Sequence, residues 1–279
     1  MNDKQTEKNT PMTQLIAAIC ESGKTVVTAS DRMVSSSDMT LTFEQEQRKA
    51  ERITDKAVML IAGTMHEPDL IRDVQEKAKG KERIRDIAEV AKESYQDLRD
   101  KHILDEFVRP RTGLKSFEEY HKMQKTLHDS LIIDLNQEIS EYHLKLSLLL
   151  VGVDEQGHII RIDRPGTWRS SDMVGSCTIG MGDRHARNVF AWYRYSTKLS
   201  LQEAAYIAFE AKKRAEMAGG VGAITDMLVI NEHGCNIIKP CVIDSLGEIY
   251  NDREKERKRG VSDQKVKELD IQTDAFESP

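Results

Sequence analysis

The sequence predicts an α+β fold in which two stacked, mainly antiparallel β-sheets lie between outer layers of helices, a four-layer αββα sandwich. Short apolar runs occur in pairs around tight turns, which is typical of β-hairpins and therefore of antiparallel sheets. Along the chain the order is strands, helices, strands, helices and strands. The helix pairs must cover apolar sheet faces, so we expect the two sheets to stack with the helices outside.

The first strands form two predicted hairpins. TQLIAAIC (13–20) and TVVTASD (25–31) are apolar runs on either side of a short segment with a turn glycine. The polar segment 32–51 predicts a loop with one short strand. RITDKAVMLIAGT (52–64) predicts a strand, a tight turn at Asp55–Lys56 and a second strand.

A helical period follows these strands. Apolar residues at helical spacing begin after Pro68, are interrupted at Gly80 and resume between 84 and 98. Residues 105–116 contain a proline and a glycine and predict a loop, and a further helical stripe covers 127–142. We therefore expect a pair of long helices in this part of the chain.

A second group of strands comes next. LSLLLVGVD (146–154) and HIIRID (158–163) predict a hairpin, and MVGSCTIG (173–180) predicts another strand. No internal repeat is visible among these segments.

Two helices and a last hairpin complete the predicted domain. The first helix covers 183–195, and the second begins at Ser200, which has capping-box spacing to Glu203. AITDMLVI (223–230) and CNIIKPCVI (235–243) then predict the final hairpin.

The domain is predicted to span residues 13–247. Residues 1–12 are polar and lack the apolar segment of a secretory signal, so they predict a disordered leader or propeptide. Residues 248–279 are dominated by charge and predict a frayed helix or a disordered tail.

Composition narrows the class of protein. The chain has 279 residues, of which 39 % are hydrophobic and 32 % are charged, and its net charge is −6. This balance argues against a nucleic-acid or anionic-membrane partner, and no apolar run is long enough to span a bilayer. Four cysteines without a CxxC pair predict reduced thiols in a cytoplasmic protein. No metal-ligand spacing is visible, and we expect no cofactor.

Three residues stand out by their place in the predicted strands. Thr13 opens the first strand, Asp31 closes the second, and Lys49 lies shortly before the hairpin that ends at Gly63. In a hairpin, the end of the second strand lies beside the start of the first, so Asp31 is predicted to lie next to Thr13.

These residue types suit nucleophilic catalysis. A threonine hydroxyl needs a base, and an N-terminal threonine supplies its own α-amine, whose pKa lies near ~8. A neighbouring lysine lowers the pKa of the hydroxyl, and a buried carboxylate holds that lysine charged and oriented. A glycine N–H at a strand end can stabilise an oxyanion.

The segments TQLIAAI, VVTASD and KAERITDKAVMLIAG resemble those of proteasome β-subunits and related N-terminal-threonine (Ntn) hydrolases, including bacterial and archaeal homologues. The resemblance covers roughly 13–105 and 127–245, with an insertion around 105–126. It implies the Ntn-hydrolase fold, with Thr13 as nucleophile, Asp31 and Lys49 as its catalytic partners, and Gly63 as the oxyanion donor.

The resemblance also implies a threonine-type endopeptidase that acts on peptides or unfolded proteins inside a self-compartmentalised homo-oligomeric ring. An ATPase or an α-type subunit is the expected partner. Ile61 and Met65 would line an apolar pocket for the residue before the cleaved bond, with Val34 facing them. The backbone of Ser35 would pair with the substrate strand.

Three positions depart from the family pattern. Met181, Ala215 and Ala218 stand where the family has a serine, an aspartate and a second serine that support the site. Two alternatives therefore stay open: a catalytically silent ring or scaffold subunit, and an Ntn amidase for small substrates. Thr13 would become N-terminal either by autolysis or by removal of Met12 as the initiator.

Overall fold

A computed structural model describes residues 13–35, 42–46, 48–63 and 68–261 of the chain. The chain divides into two compact units, Met1–Ile238 and Lys239–Pro279.

The strands are named in chain order. They are β1 (Gln14–Cys20), β2 (Thr25–Ser30), β3 (Met33–Ser35), β4 (Thr42–Glu44), β5 (Ala50–Thr54), β6 (Ala57–Gly63), β7 (Leu146–Val153), β8 (Gly157–Asp163), β9 (Thr167–Ser170), β10 (Ser176–Gly180), β11 (Asp226–Asn231) and β12 (Gly234–Ile237). One five-stranded sheet has the order β10–β1–β2–β11–β12 and the other β5–β6–β7–β8–β9, while β3 and β4 form a separate pair. All these pairings are antiparallel.

The α-helices are named in the same way. They are α1 (Pro68–Lys77), α2 (Ile84–Ile103), α3 (Arg109–Thr112), α4 (Phe117–Met123), α5 (Asp129–Glu141), α6 (Asp183–Trp192), α7 (Leu201–Ala215) and α8 (Pro240–Val261). A π-helical turn joins α2 to α3. None of the helices in the described ranges has the length and apolar character that a bilayer crossing needs.

The two five-stranded sheets face each other across a shared apolar core. Alternate residues of β1, such as Leu15 and Ala17, pack there with alternate residues of β6, such as Val58 and Leu60. The opposite face of the second sheet, including Met59, packs against α1 and α2. Helix α7 contacts β1 and β2, and α6 contacts β10. The order of layers is therefore helix, sheet, sheet, helix. The predicted α+β class with two mainly antiparallel sheets is confirmed.

The inner strands of both sheets are buried on two faces, and their residues are accordingly apolar at consecutive positions. All seven residues of β1 and all eight of β7 are buried. A strand with one wet face would alternate apolar and polar residues instead. The predicted hairpins β1–β2, β5–β6 and β7–β8 are confirmed, as is the capping box between Ser200 and Glu203.

The predicted loop at 105–116 is largely wrong. Leu104–Val108 forms the π-helical turn, and α3 continues it to a left-handed cap at Gly113. Ile103 and Val108 are buried in a small apolar cluster with residues of α4 and α5. Proline is tolerated in the first turn of a helix, so the one in this segment did not break it. Burial of the apolar side chains outweighs the local loop signals.

The final strand is shorter than predicted. β12 ends at Ile237, whereas the sequence predicted a strand to residue 243, and α8 begins at Pro240. Proline lacks the N–H that a strand ladder needs and fits the first turn of a helix. Helix α8 continues through the charged segment to Val261, so residues 248–261 are helical.

Candidate active site

The register of the first hairpin places Thr13 beside Asp31. Leu15 is the Cα partner of Ser30, so Gln14 lies opposite Asp31 at the open end of the hairpin. The backbone N–H of Asp31 donates to the Gln14 carbonyl over 3.3 Å, and the Gln14 N–H donates to Asp31 Oδ1 over 2.9 Å. Thr13 immediately precedes this pair, which fixes its distance from the carboxylate.

Thr13, Asp31 and Lys49 meet in one hydrogen-bonded cluster. The Thr13 hydroxyl donates to Asp31 Oδ1 over 2.6 Å, and Lys49 Nζ donates to the same oxygen over 2.9 Å. Lys49 Nζ also donates to Thr13 Oγ1. Thr13 is 1 % exposed and Asp31 is fully buried, so these contacts form out of water. The structure therefore brings together the three residues that sequence reasoning singled out.

The second sheet positions Lys49. Its carbonyl accepts a hydrogen bond from the backbone N–H of Ile61 over 2.9 Å, just before β5 begins. Stacking of the two sheets then carries the Lys49 side chain to the end of the β1–β2 hairpin. The cluster thus joins residues of both sheets.

Donors from several segments surround the Asp31 carboxylate. They are the Thr13 hydroxyl, the Lys49 ammonium and the backbone N–H groups of Gln14, Met33 and Gly222. An uncompensated buried charge is costly, whereas one that receives several hydrogen bonds is retained. The buried Asp31 carboxylate is therefore well provided with donors beside Lys49.

Burial changes the proton affinity of Lys49. Desolvation lowers the pKa of Lys49 below the usual 10.5, although the attraction of Asp31 and the hydrogen bond to it act in the opposite direction. Only 9 % of the Lys49 side chain is exposed. Lys49 can therefore release its proton at a lower pH than a surface lysine, and while charged it lies against the Thr13 oxygen.

The backbone of β10 holds the carbonyl of Thr13. The N–H of Met181, the residue after β10, donates to the carbonyl oxygen of Thr13 over 3.0 Å. A Cβ on Gly180 would lie 1.8 Å from the same carbonyl oxygen. Gly180 also has a φ of +127°, which favours glycine. A side chain at 180 would therefore displace Thr13.

Met181 and Ala215, two of the positions that depart from the family pattern, lie close to Thr13 and to the turn after β10. Met181 supports Thr13 through its backbone N–H, which does not depend on the side chain. A Cβ on Gly182 would lie 2.4 Å from the Cβ of Ala215, so α7 packs closely against this turn. Ala215 is fully buried there. This close contact requires glycine at position 182.

The remaining predicted site residues belong to β6, to β3 or to the part of the chain outside the described residues. Gly63 is the last residue of β6 and is opposite Leu146, where a Cβ on Gly63 would lie 2.5 Å from a carbonyl oxygen. Ile61 is partly buried against the core beneath α1 and α2. Val34 and Ser35 contribute backbone to β3, which pairs with β4. Met65 and the leader lie outside the described residues, as do the side chains of Val34 and Ser35.

Sequence reasoning missed a second buried lysine, Lys212 on α7. Its side chain is 0 % exposed, and Nζ donates to the carbonyls of Gly222 and Ala223 over 2.7 and 2.8 Å and to Glu216 over 2.6 Å. The N–H of Gly222 donates to Asp31 Oδ2 over 2.9 Å. Lys212 thus holds the segment that supplies one of the donors to Asp31.

One sequence signal could have found Lys212. It lies four residues after Ala208 and three before Ala215, within the apolar stripe of α7. A lysine on such a stripe is buried only when acceptors meet it. Desolvation lowers the pKa of Lys212, and the hydrogen bond and charge of Glu216 oppose that effect.

We expect Lys212→Met to destabilise the protein by about 3 kcal/mol, because it leaves two carbonyls and a carboxylate without their common donor. The Gly222 amide should also exchange with solvent faster. Lys213→Met is the matched control, because Lys213 also pairs with Glu216 but is 26 % exposed, and a change within about 0.5 kcal/mol is expected. Urea unfolding and hydrogen exchange measure both effects. Equal changes in the two variants would contradict a specific role for Lys212.

No family model matches this chain, and comparison with curated proteins finds no match either.

Proposed function

We propose that this chain is a threonine-type peptidase or amidohydrolase with the Ntn-hydrolase fold, which hydrolyses peptide bonds with Thr13 as an N-terminal nucleophile. The supporting observation is the buried cluster in which Asp31 Oδ1 and Lys49 Nζ both contact Thr13 Oγ1. A threonine held by a lysine and a carboxylate matches the requirements of an activated hydroxyl.

The first half of the proposed reaction forms an ester. The α-amine of Thr13 takes the hydroxyl proton as Oγ1 attacks the carbonyl carbon of the substrate. The Lys49 ammonium stabilises negative charge on Oγ1, and the Gly63 N–H stabilises the oxyanion of the tetrahedral intermediate. The protonated amine then gives its proton to the leaving nitrogen as the C–N bond breaks.

The second half releases the product. A water molecule gives a proton to the α-amine and attacks the ester carbonyl. The C–O bond to Thr13 then breaks, and Oγ1 recovers its proton from the amine. Asp31 keeps its charge throughout and holds Lys49 in place.

The remaining predictions extend this proposal. Ile61, Met65 and Val34 would form an apolar pocket, in which burial of an apolar substrate side chain contributes roughly 1.5–3 kcal/mol. The Ser35 backbone would pair with an extended substrate. The active form would be a homo-oligomeric ring with an ATPase or α-type partner.

A catalytically silent ring subunit is the second candidate. Met181, Ala215 and Ala218 carry no side-chain oxygen at positions where the related hydrolases have hydroxyl and carboxylate groups. Slow turnover is expected even if the first proposal holds.

Removal of residues 1–12 tests the proposed function. We expect a chain that starts at Thr13 to hydrolyse fluorogenic peptides and to react with an epoxyketone, which bonds to both hydroxyl and amine. The full chain with an intact leader should do neither, since its Thr13 nitrogen is an amide and cannot act as a base. N-terminal sequencing and intact mass establish which form is present. An assembled, processed oligomer without hydrolysis or labelling would favour the silent subunit.

A further inference from the structure

A cleft lies away from the Thr13 cluster. On one side it is lined by β8 and β9 of the second sheet, and on the other by β10, the edge strand of the first sheet, and α6. Its volume is about 740 Å³. Thr13, Asp31, Lys49 and Gly63 do not line it. Small-molecule sites commonly measure roughly 300–1,000 Å³, so the cleft has a suitable size for such a ligand.

Arginine dominates the charge of this cleft. Arg161 and Arg169 come from β8 and β9, and Arg187 and Arg194 come from α6 and the residues after it. No aspartate or glutamate is among the lining residues. This concentration of positive charge is notable on a chain whose net charge is −6.

Arg161 and Arg169 lie directly opposite each other. They are Cα partners across the antiparallel β8–β9 pair. Like charges at such a position repel each other, and an anion between them removes the repulsion. Asp163 contributes part of this compensation, with its oxygens 2.6 Å from Arg161 Nε and 3.6 Å from an Arg169 nitrogen.

The carboxylates that pair with the four arginines of the cleft do not neutralise their total positive charge. Arg187 pairs with Asp183 over 2.7 Å, so within the described part of the chain two carboxylates, Asp163 and Asp183, form ion pairs with the arginines of the cleft. Two carboxylates against four guanidinium groups leave an excess of about two positive charges by simple counting. A multivalent anion fits this excess better than a single carboxylate does.

The other lining groups add hydroxyl donors and an apolar wall. Ser170, Ser171 and Ser176 line the cleft, and Val174 and Phe190 supply apolar surface. We propose that this cleft binds a small molecule with a polyphosphate group, which the guanidinium groups hold in bidentate hydrogen bonds. This site is separate from the proposed peptidase centre and does not depend on its activity.

Calorimetric titration of the full chain with tripolyphosphate and with ATP, both without added metal, tests the proposal. We expect saturable binding with one site per chain. Arg187→Ala and Arg194→Ala should each weaken it at least ~10-fold, the scale of one charged hydrogen bond. Arg187→Lys should restore only part of the affinity, since an ammonium lacks the guanidinium fork. Arg184→Ala is the matched control, because Arg184 is exposed on the same helix and does not line the cleft.

The outcomes separate the possible ligands. Equal affinity for tripolyphosphate and ATP shows that the phosphate chain alone is recognised, and tighter binding of ATP shows that the wall formed by Val174 and Phe190 contacts the nucleoside. The proposal is overturned if neither probe binds saturably. It is also overturned if Arg184→Ala weakens binding as much as Arg187→Ala, or if a glutamate-rich peptide binds more tightly than tripolyphosphate.

Discussion

Thr13→Ala, made in the chain that starts at residue 13, is expected to abolish both peptide hydrolysis and epoxyketone labelling. The substitution removes the oxygen that contacts Asp31 and Lys49, while the α-amine remains. Without that oxygen no ester can form, and the reaction loses its covalent step. Steady-state rates with fluorogenic peptides and mass spectrometry of the labelled protein measure the two losses.

Thr13→Ser is the matched control for this variant. Serine keeps the hydroxyl and loses only a methyl group, so part of the hydrolysis and labelling should remain. The Asp31 carboxylate keeps its other donors in Thr13→Ala, and thermal unfolding checks that the protein still folds. Undiminished hydrolysis by folded Thr13→Ala would mean that another residue is the nucleophile.

Lys49→Ala is expected to lower the rate of hydrolysis at least ~100-fold, the usual scale for the loss of an activating group. The variant removes the positive charge beside Thr13 Oγ1 and leaves buried Asp31 without its ion-pair partner. Lys56→Ala is the control, because Lys56 is an exposed lysine at the neighbouring turn. An equal loss of hydrolysis rate in Lys49→Ala and Lys56→Ala would instead indicate a general effect of removing positive charge.

The pH dependence reveals which form of Lys49 is needed. Desolvation lowers the pKa of Lys49, so the ammonium loses its proton as pH rises through a value below the usual 10.5. If the ammonium stabilises the Thr13 oxygen, kcat should fall on this alkaline side. In Lys49→Arg the alkaline fall should disappear, since guanidinium stays protonated, although the rate itself should be lower. A rate that rises through the same range would instead assign Lys49 as the base.

The sequence by itself determined the hairpins and, through them, the contact between two of the three residues of the Thr13 cluster, Thr13 and Asp31. Two consecutive apolar runs and a turn glycine between them are local signals, and they bring the end of β2 beside the start of β1. The hairpin register then places Asp31 next to Thr13. The amphipathic helices α1, α2, α5 and α7 were also evident, because their apolar stripes have the helical period.

Local signals gave the wrong structure at 105–116 and beyond Ile237. A proline and a glycine suggested a loop in the first segment, but burial of Ile103 and Val108 keeps it helical. In the second, apolar residues suggested a strand, but Pro240 begins a helix. Both errors occurred where one residue type is compatible with two structures and packing decides between them.

Only the tertiary structure decided how distant residues meet. Lys49 is 36 residues from Thr13, and it reaches the hydroxyl because the second sheet stacks on the first. Lys212 is buried because the carbonyls of Gly222 and Ala223 accept hydrogen bonds from its ammonium, and these acceptors come from a segment after α7. The four arginines of the cleft gather only through strand register and the packing of α6. Such contacts join segments that are far apart in the chain, and hydrophobic periodicity indicates which face of a segment is buried but not which other segment covers it.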